Sequence, residues 1–497
     1  MKLSILIPSE EYRNYAGARI RYSRLRPNLL QLGVDLDFQE VSTFAPERAE
    51  CDVLLISKCH DAPALLAAEA VSRRGRIVGV DLFDNYFSQI SDSRLVRFRN
   101  WLTQLLPICD FALCSTQAMA NIAASYRPDL PVHVVNDPGD GESGDLSEVL
   151  TQKLVRAVDE RMIRLAWFGV GDNPYFEVGL SDLAAYGHLL EPLRYRDFDV
   201  ELSVLTNSRA LDAHGLELIA QLPVRSTVQE WTLARERAML EEAFACFLPV
   251  NAQSFSTAKS LNRAVTALSA GCQVISAGYP LYAPLENLTY PGTEIFLSDL
   301  IRRQMRLSTG TISDLAQTMN RLASPTREAT DLVRFLRRLE PSERLHDLPL
   351  ALIHAHAING STQRLVQAVQ GISVASPYCA VDKDFDVLFR GEGSQLIMLL
   401  SQGAVDRVRP EVRGRLRSMD RIGSRKLWKL CEPGETLTDF DLPAVGWERG
   451  SLPFQLATYH WAMNVMQDRM KEAFGSCRII VSETSSLPFV VQEQMAS

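Results

Sequence analysis

A chain of 497 residues is too long for one ordinary hydrophobic core, and its length implies about three domains. Its 46% hydrophobic and 23% charged residues are those of an average globular protein. With 52 Lys and Arg against 60 Asp and Glu, the net charge of −8 gives no global pull toward nucleic acid or an anionic membrane.

The opening MKLSILIPS carries one Lys and a short apolar run, and reads as a buried strand rather than a leader peptide. A helix-length segment, RIRYSRLRPNLLQLG, follows. VDLDFQEV, CDVLLISK, RIVGVDLFDN, DFALCS and VHVVND then alternate with helical stretches such as APALLAAEAVSRRG and QAMANIAASY. Buried strands alternating with helices of 10–15 residues imply βαβ units and a parallel sheet, whose functional groups collect at the carboxyl ends of the strands. NDPGDGESGDLSEV, rich in Gly, Asp and Ser, reads as a linker or long loop. A second series begins at IRLAWFG and runs through FDVELSVLTN, RSTVQEW, FACFLPV and CQVISAG, with the charged helical seam around 325–345 closing it. From about residue 346 the pattern changes to a mixed α/β third domain. There ALIHAHAI, ISVASPY, DFDVLF, QLIMLLS and RIIVSE are short apolar or strand-like runs, and LATYHWAMNVMQDRMKEAF is an amphipathic helix. Its stripe of Leu456, Tyr459, Met463 and Met466 either packs within its own domain or docks onto a protein partner or a second copy.

The nine cysteines form no CxxC pair and no disulfide framework, which points to a reducing compartment and a cytoplasmic protein. No apolar run reaches 18 residues, so no transmembrane helix is expected. His354 and His356 share a face without a carboxylate-rich partner set, and no metal or other cofactor is expected. G-x-G-x-x-G, the P-loop pattern and G-x-S-x-G are all absent.

The sharpest segment is FACFLPVNAQSFSTAKSLNRAVTALSAGCQVISAG. A strand ends at Pro249, a polar loop holding Asn251, Ser254 and Ser256 follows, and a helix opens near Thr257–Ser260 with Lys259, Asn262 and Arg263 in or near its first turn. Cations oppose the dipole at a helix start, whereas a bound phosphate reverses the sign and lets backbone N–H groups, Lys259 and Arg263 converge on one anion.

This segment resembles the donor-binding part of GT-B glycosyltransferases, particularly family 4-like members, in its buried strand ending in Pro, its "KSxNR" at a helix start and its "ALxxG" at the end. RLAWFGVGDN is similar to the family's "igWfG" opening, and VQEWTLARERAMLEEAFACFLP to its "v-x-x-W … L … D-x-x-l-x-P". The resemblance implies an α/β chain of two Rossmann-like parallel-sheet domains facing a cleft: an acceptor domain over 1–145, a nucleotide-sugar donor domain over 160–345, and a C-terminal extension over 346–497. It implies a transferase moving a sugar from a nucleotide-diphosphate donor to a glycan, lipid-linked or protein acceptor, without an obligatory metal. Lys259 and Arg263 then bind the diphosphate, Asn262 supports the loop, and Ser256 belongs to the donor-binding set. Gly169 and Gly171 give backbone access to phosphate or sugar, and Trp231 either covers the base or belongs to the core. In the first domain, YAGARIRYSRL resembles the family's glycine-containing loop, which places Gly17, Arg19 and Arg21 toward the cleft. VGVDLFDNYF is similar to its "D-x-x-D-N-x-F", which carries Asp81, Asp84 and Asn85: either Asp takes a proton from an acceptor hydroxyl, or it caps the next helix. The loop Glu and helix Glu of many retaining members have no counterpart here. A catalytically silent GT-B scaffold serving as a binding or assembly subunit is therefore the alternative, and an epimerase on the same fold a distant third.

Overall fold

The computed structural model describes residues 1–341 except 46–48, 141–144 and 197, and beyond them six strands only. The first sheet contains β1 (Lys2–Ile7), β2 (Asp35–Glu40), β3 (Val53–Ser57), β4 (Ile77–Leu82), β5 (Phe111–Cys114) and β6 (Val132–Val134). Its order is β2-β1-β3-β4-β5-β6, parallel throughout. Burial on both faces explains the unbroken apolar runs read from the sequence. In β3, Leu54 and Ile56 join the core on one face, and Val53 and Leu55 join the core on the other.

Among the described residues, the helices of this half are α1 (Ala16–Ala18), α2 (Arg26–Gln31), α3 (Ala62–Arg73), α4 (Val96–Leu105) and α5 (Gln117–Tyr126). The single long helix read over RIRYSRLRPNLLQLG is instead a π-turn at Arg19–Ser23 followed by α2, with Pro27 in its first turn. Proline is tolerated there because the N–H it lacks has no intrahelical partner. Asp61 caps α3 through Ala64 N at 3.1 Å, and Thr116 caps α5 through Met119 N at 3.2 Å.

The second sheet is built from β7 (Met162–Phe168), β8 (Asp199–Thr206), β9 (Arg225–Glu230), β10 (Ala245–Phe247), β11 (Gln273–Ile275) and β12 (Thr289–Tyr290). Its order is β12-β11-β10-β7-β8-β9, again all parallel. It carries α6 (Leu146–Asp159), α7 (Leu180–Ala185), α8 (Ala213–Ala220), α9 (Leu233–Glu242), α10 (Ser254–Thr257), α11 (Asn262–Ser269), α12 (Thr293–Arg302) and α13 (Ile312–Leu322). Two Rossmann-like domains in succession are the GT-B arrangement that the sequence implies.

Two boundaries differ from the sequence reading. The polar stretch read as a linker ends inside α6, because Asp145 accepts hydrogen bonds from Ser147 N and Glu148 N and starts the helix. The seam read as closing the second unit does not: α14 (Pro325–Leu336) crosses back, and its Ala329, Leu332, Val333 and Leu336 complete the core beneath Leu3, Ile5, Leu25 and Leu29. The amphipathicity of α14 is plain in sequence, but which sheet it covers is not.

The third sheet, in a part of the chain expected to be mixed α/β, contains β13 (Leu350–Ala355), β14 (Asp386–Arg390), β15 (Leu396–Leu400), β16 (Leu416–Ile422), β17 (Arg425–Leu430) and β18 (Arg478–Glu483). β13 lies parallel to both β14 and β18, and the remaining pairs are antiparallel. The helix read over LATYHWAMNVMQDRMKEAF, the run ISVASPY and His356 lie outside the described residues.

Candidate functional site

The carboxyl ends of β4 and β10 face each other across the junction of the two domains. β4 delivers Asp81, and the turn beyond it delivers Asp84 and Asn85; the chain beyond β10 delivers α10, a break at 258–261, and α11.

Asp81 is turned into the protein. Its buried carboxylate takes a bidentate ion pair from Arg21, Nε to Oδ2 and Nη2 to Oδ1, both at 2.7 Å, and accepts the Tyr22 hydroxyl at 2.5 Å. Arg21 is itself buried and donates through Nη1 to Val135 O at 3.1 Å and to Asp137 Oδ1 at 2.9 Å. Asp81 and Arg21 are thus buried and paired with each other rather than held open toward the cleft. A buried guanidinium requires acceptors of this kind, and three donors from Arg21 and Tyr22 occupy the Asp81 carboxylate.

Asp84 is placed differently. It accepts ion pairs from Lys58 through Oδ2 and from Lys259 through Oδ1, and the second of these joins the two domains. Burial pushes its carboxyl up, but the two ammonium groups outweigh that and hold it well below the usual carboxylate range. A carboxylate that acidic is a poor general base near neutral pH. Lys259 sits in the break between α10 and α11 rather than in a helical turn, 4.1 Å from the centre of the Phe255 ring.

Asp137 is a further junction residue that the sequence reading did not single out. Besides Arg21 it accepts Ser260 Oγ at 2.5 Å and Asn262 Nδ2 at 3.2 Å, so a first-domain carboxylate meets the entry to α11. Asn262 is therefore engaged in a domain contact. Asn85 plays a similar part: its Nδ2 donates to Ser254 O at 2.9 Å and its Oδ1 accepts Ser88 N at 3.1 Å, which orders the turn.

Arg263 stands apart. It is half-buried in the first turn of α11, its guanidinium carbon lies 5.9 Å from the Trp167 ring centre, and it makes no hydrogen bond or ion pair among the described residues. Gly169, at the end of β7, makes room for it: an added Cβ would come within 3.3 Å of Arg263 Nη1. Gly171 is glycine for another reason, because an added Cβ would fall 2.3 Å from Thr206 Oγ1 and 2.8 Å from Ala210. Gly17 is packed in the same way, under the Tyr12 hydroxyl and the Phe83 ring. Ser256 is buried within α10.

Trp231 donates through Nε1 to Glu236 at 2.5 Å, and the Arg19 guanidinium from the first domain lies 5.2 Å from its ring centre. Burial pushes the Arg19 pKa down, with Glu236 opposing.

The remainder of the junction is aromatic. Phe176 and Phe255 of the second domain stack at 4.5 Å and belong to the same core as Phe87, Phe98 and Trp101 of the first. Tyr86 stacks on Phe98 at 4.8 Å, and the His60 ring meets Phe98 and Trp101 edge-on at 5.1 and 4.7 Å. Burial beside Lys58 and Arg97 pushes the His60 pKa down to about 3. Lys58 and His60 stand at the carboxyl end of β3, and that position is the signal that could have found them in sequence.

No family model matches the chain, and no curated protein matches it. Among solved structures, Anabaena Alr3699/HepE in complex with UDP and glucose is 13% identical over 68% of this chain and 99% of its own, with a TM-score of 0.49. Its complex with UDP-glucose is also 13% identical, over 68% of this chain and all of its own, at 0.48. An α,α-trehalose-phosphate synthase from Burkholderia xenovorans in complex with glucose-6-phosphate is 13% identical over 63% of this chain and 77% of its own, at 0.43. Likeness at this level carries no assignment of activity, which must come from the chain's own geometry. Among the described residues, no helix is long and apolar enough to cross a membrane.

Proposed function

We propose that the chain is a glycosyltransferase that takes a sugar from a nucleotide-diphosphate donor, with the diphosphate held at the start of α11. The observation that carries this reading is Arg263, a half-buried guanidinium with no hydrogen-bond or ion-pair partner among the described residues, in a helix's first turn and beside a glycine at the end of a parallel strand. A half-buried cation with no acceptor, and only the longer-range charge of Asp182 to offset it, carries a cost, and placing it where the dipole opposes it adds to that cost. A phosphate reverses both terms and collects the free N–H groups of the helix start. During transfer, the same charges offset the negative charge that develops on the departing diphosphate.

The test is calorimetry with uridine, guanosine and adenosine diphosphates on the full chain. Arg263→Ala should weaken binding about 10- to 150-fold, the equivalent of one charge-assisted contact of roughly 1.5–3 kcal/mol. Unchanged affinity, or no binding by any of the three, would refute the phosphate role.

The silent-scaffold reading keeps a specific observation in its favour. Phe176 and Phe255 fill the space between the domains, and Asp84 and Asp137 already serve polar groups around α11. Nucleotide binding without sugar release from any donor would favour it.

A further inference from the structure

We infer that Asp84 is a built-in counter-anion, which competes with the donor diphosphate for Lys259 and Lys58 and must release Lys259 when that ligand binds. The inference rests on the donor-site reading above and adds to it the regulation of that site.

Three observations converge on Asp84. First, two ammonium groups from separate elements close on one carboxylate, leaving the trio a net charge of +1. The Asp84 side chain is only 14% exposed, and those of Lys58 and Lys259 are 18% and 39% exposed. A single carboxylate under-compensates such a pair, whereas a phosphate offers more charge and more acceptor oxygens. Second, Lys58 holds a left-handed backbone with φ of 61°, a conformation that non-glycine residues adopt at a cost and that gathers at ligand-binding sites. Its Nζ lies 4.7 Å from the Phe83 ring centre and 5.2 Å from that of Tyr86, which keeps the ammonium aimed at the junction. Third, Lys259 lies in the chain break that leads directly into α11, the helix that carries Arg263. A diphosphate at that helix start therefore draws on a lysine that the first domain already holds. The Asp84–Lys259 contact crosses between the domains, so the exchange also removes an interdomain link and couples ligand binding to how the two halves are held together.

This arrangement makes an unusual demand on mutagenesis: removing an acidic residue from the site should tighten the binding of an anion. The experiment measures the Kd of uridine, guanosine and adenosine diphosphates by calorimetry, on the full chain and on Asp84→Asn, Asp84→Ser and Asp84→Glu. Asp84→Asn and Asp84→Ser should each bind the preferred diphosphate about tenfold more tightly, the scale of one charge-assisted contact relieved of competition. Asp84→Glu, which keeps the competing charge, should stay near the parent. Thermal unfolding of each variant without nucleotide reports whether it is folded, and the two neutral variants guard against one of them failing. Equal or weaker binding by the folded neutral variants, with the parent still binding, overturns the counter-anion while leaving the donor site in place. Absence of binding by the parent and every folded variant overturns both.

Discussion

The Arg21–Asp81 pair gives the sharpest test of how the first domain is held together. Arg21→Met leaves the Asp81 carboxylate buried with the Tyr22 hydroxyl as its remaining side-chain partner, and strips a hydrogen bond from Val135 O and another from Asp137. Removing one partner of a buried ion pair costs about 3–5 kcal/mol, because the charge left behind is uncompensated. The two further contacts belong to the same network and do not add in full, so a loss of about 4 kcal/mol is expected. For a unit of this size, each kcal/mol shifts the midpoint by about 2–4 °C, which gives a fall of roughly 8–16 °C. Asp81→Asn removes the stranded charge, so the double variant should recover part of the loss, with a coupling of about 2 kcal/mol in a double-mutant cycle. The cycle should be read by denaturant unfolding and by hydrogen exchange of the β4 and β5 peptides, because the effect belongs to the first domain. A change below about 1 kcal/mol in Arg21→Met, or independent effects in the cycle, would refute the assignment of this pair to structure and reopen Asp81 as a catalytic candidate.

Two further outcomes are expected. His60 is held to about 3 in the fold against 6.5 in the unfolded chain, so below pH 6.5 the unfolded state binds the extra proton. Stability should therefore fall between about pH 6.5 and 3, by at most about 1.4 kcal/mol per pH unit from this group; a His60→Phe variant with the same slope by denaturant titration would contradict it. Phe255→Ala should cost about 3–5 kcal/mol through the cavity it leaves, and should increase the radius of gyration measured by small-angle scattering as the domain contact loosens; an unchanged radius with the stability lost would confine Phe255 to local packing.

What the sequence disclosed and what it withheld divide along a physical line. VLLIS, IVGV and FALC announce buried parallel strands, because both faces of such a sheet are covered and nothing polar interrupts the run. The start of α11 stood out as a candidate anion site because loop, helix and cations lie within a few residues of one another. The pairing of Asp81 was hidden for the opposite reason. Its partner Arg21 is sixty residues away, and a carboxylate at a strand end looks the same in sequence whether it meets a substrate or a buried guanidinium. Asp137, inside a stretch that reads as solvent-facing loop, could not be recognised without the fold that brings Arg21 and Ser260 to it. The break at 258–261 was hidden as well, since nothing in STAKSLNR is a strong helix breaker; the separation of α10 from α11 comes with tertiary contacts such as Thr116 Oγ1 donating to Ala258 O at 3.0 Å.

The return of α14 to the first sheet sets an order of events during synthesis. The strands of that sheet are complete once residue 134 has emerged, yet the helix that covers Leu3, Ile5 and Leu29 is not made until residue 336. At ribosomal rates of about 5–20 residues per second, the nascent first domain waits on the order of ten seconds or more with an apolar face uncovered, while the whole second domain is synthesised. That interval makes the N-terminal half a natural client for a chaperone during synthesis. It also means that cutting the chain between its two sheets yields an N-terminal fragment lacking part of its own core.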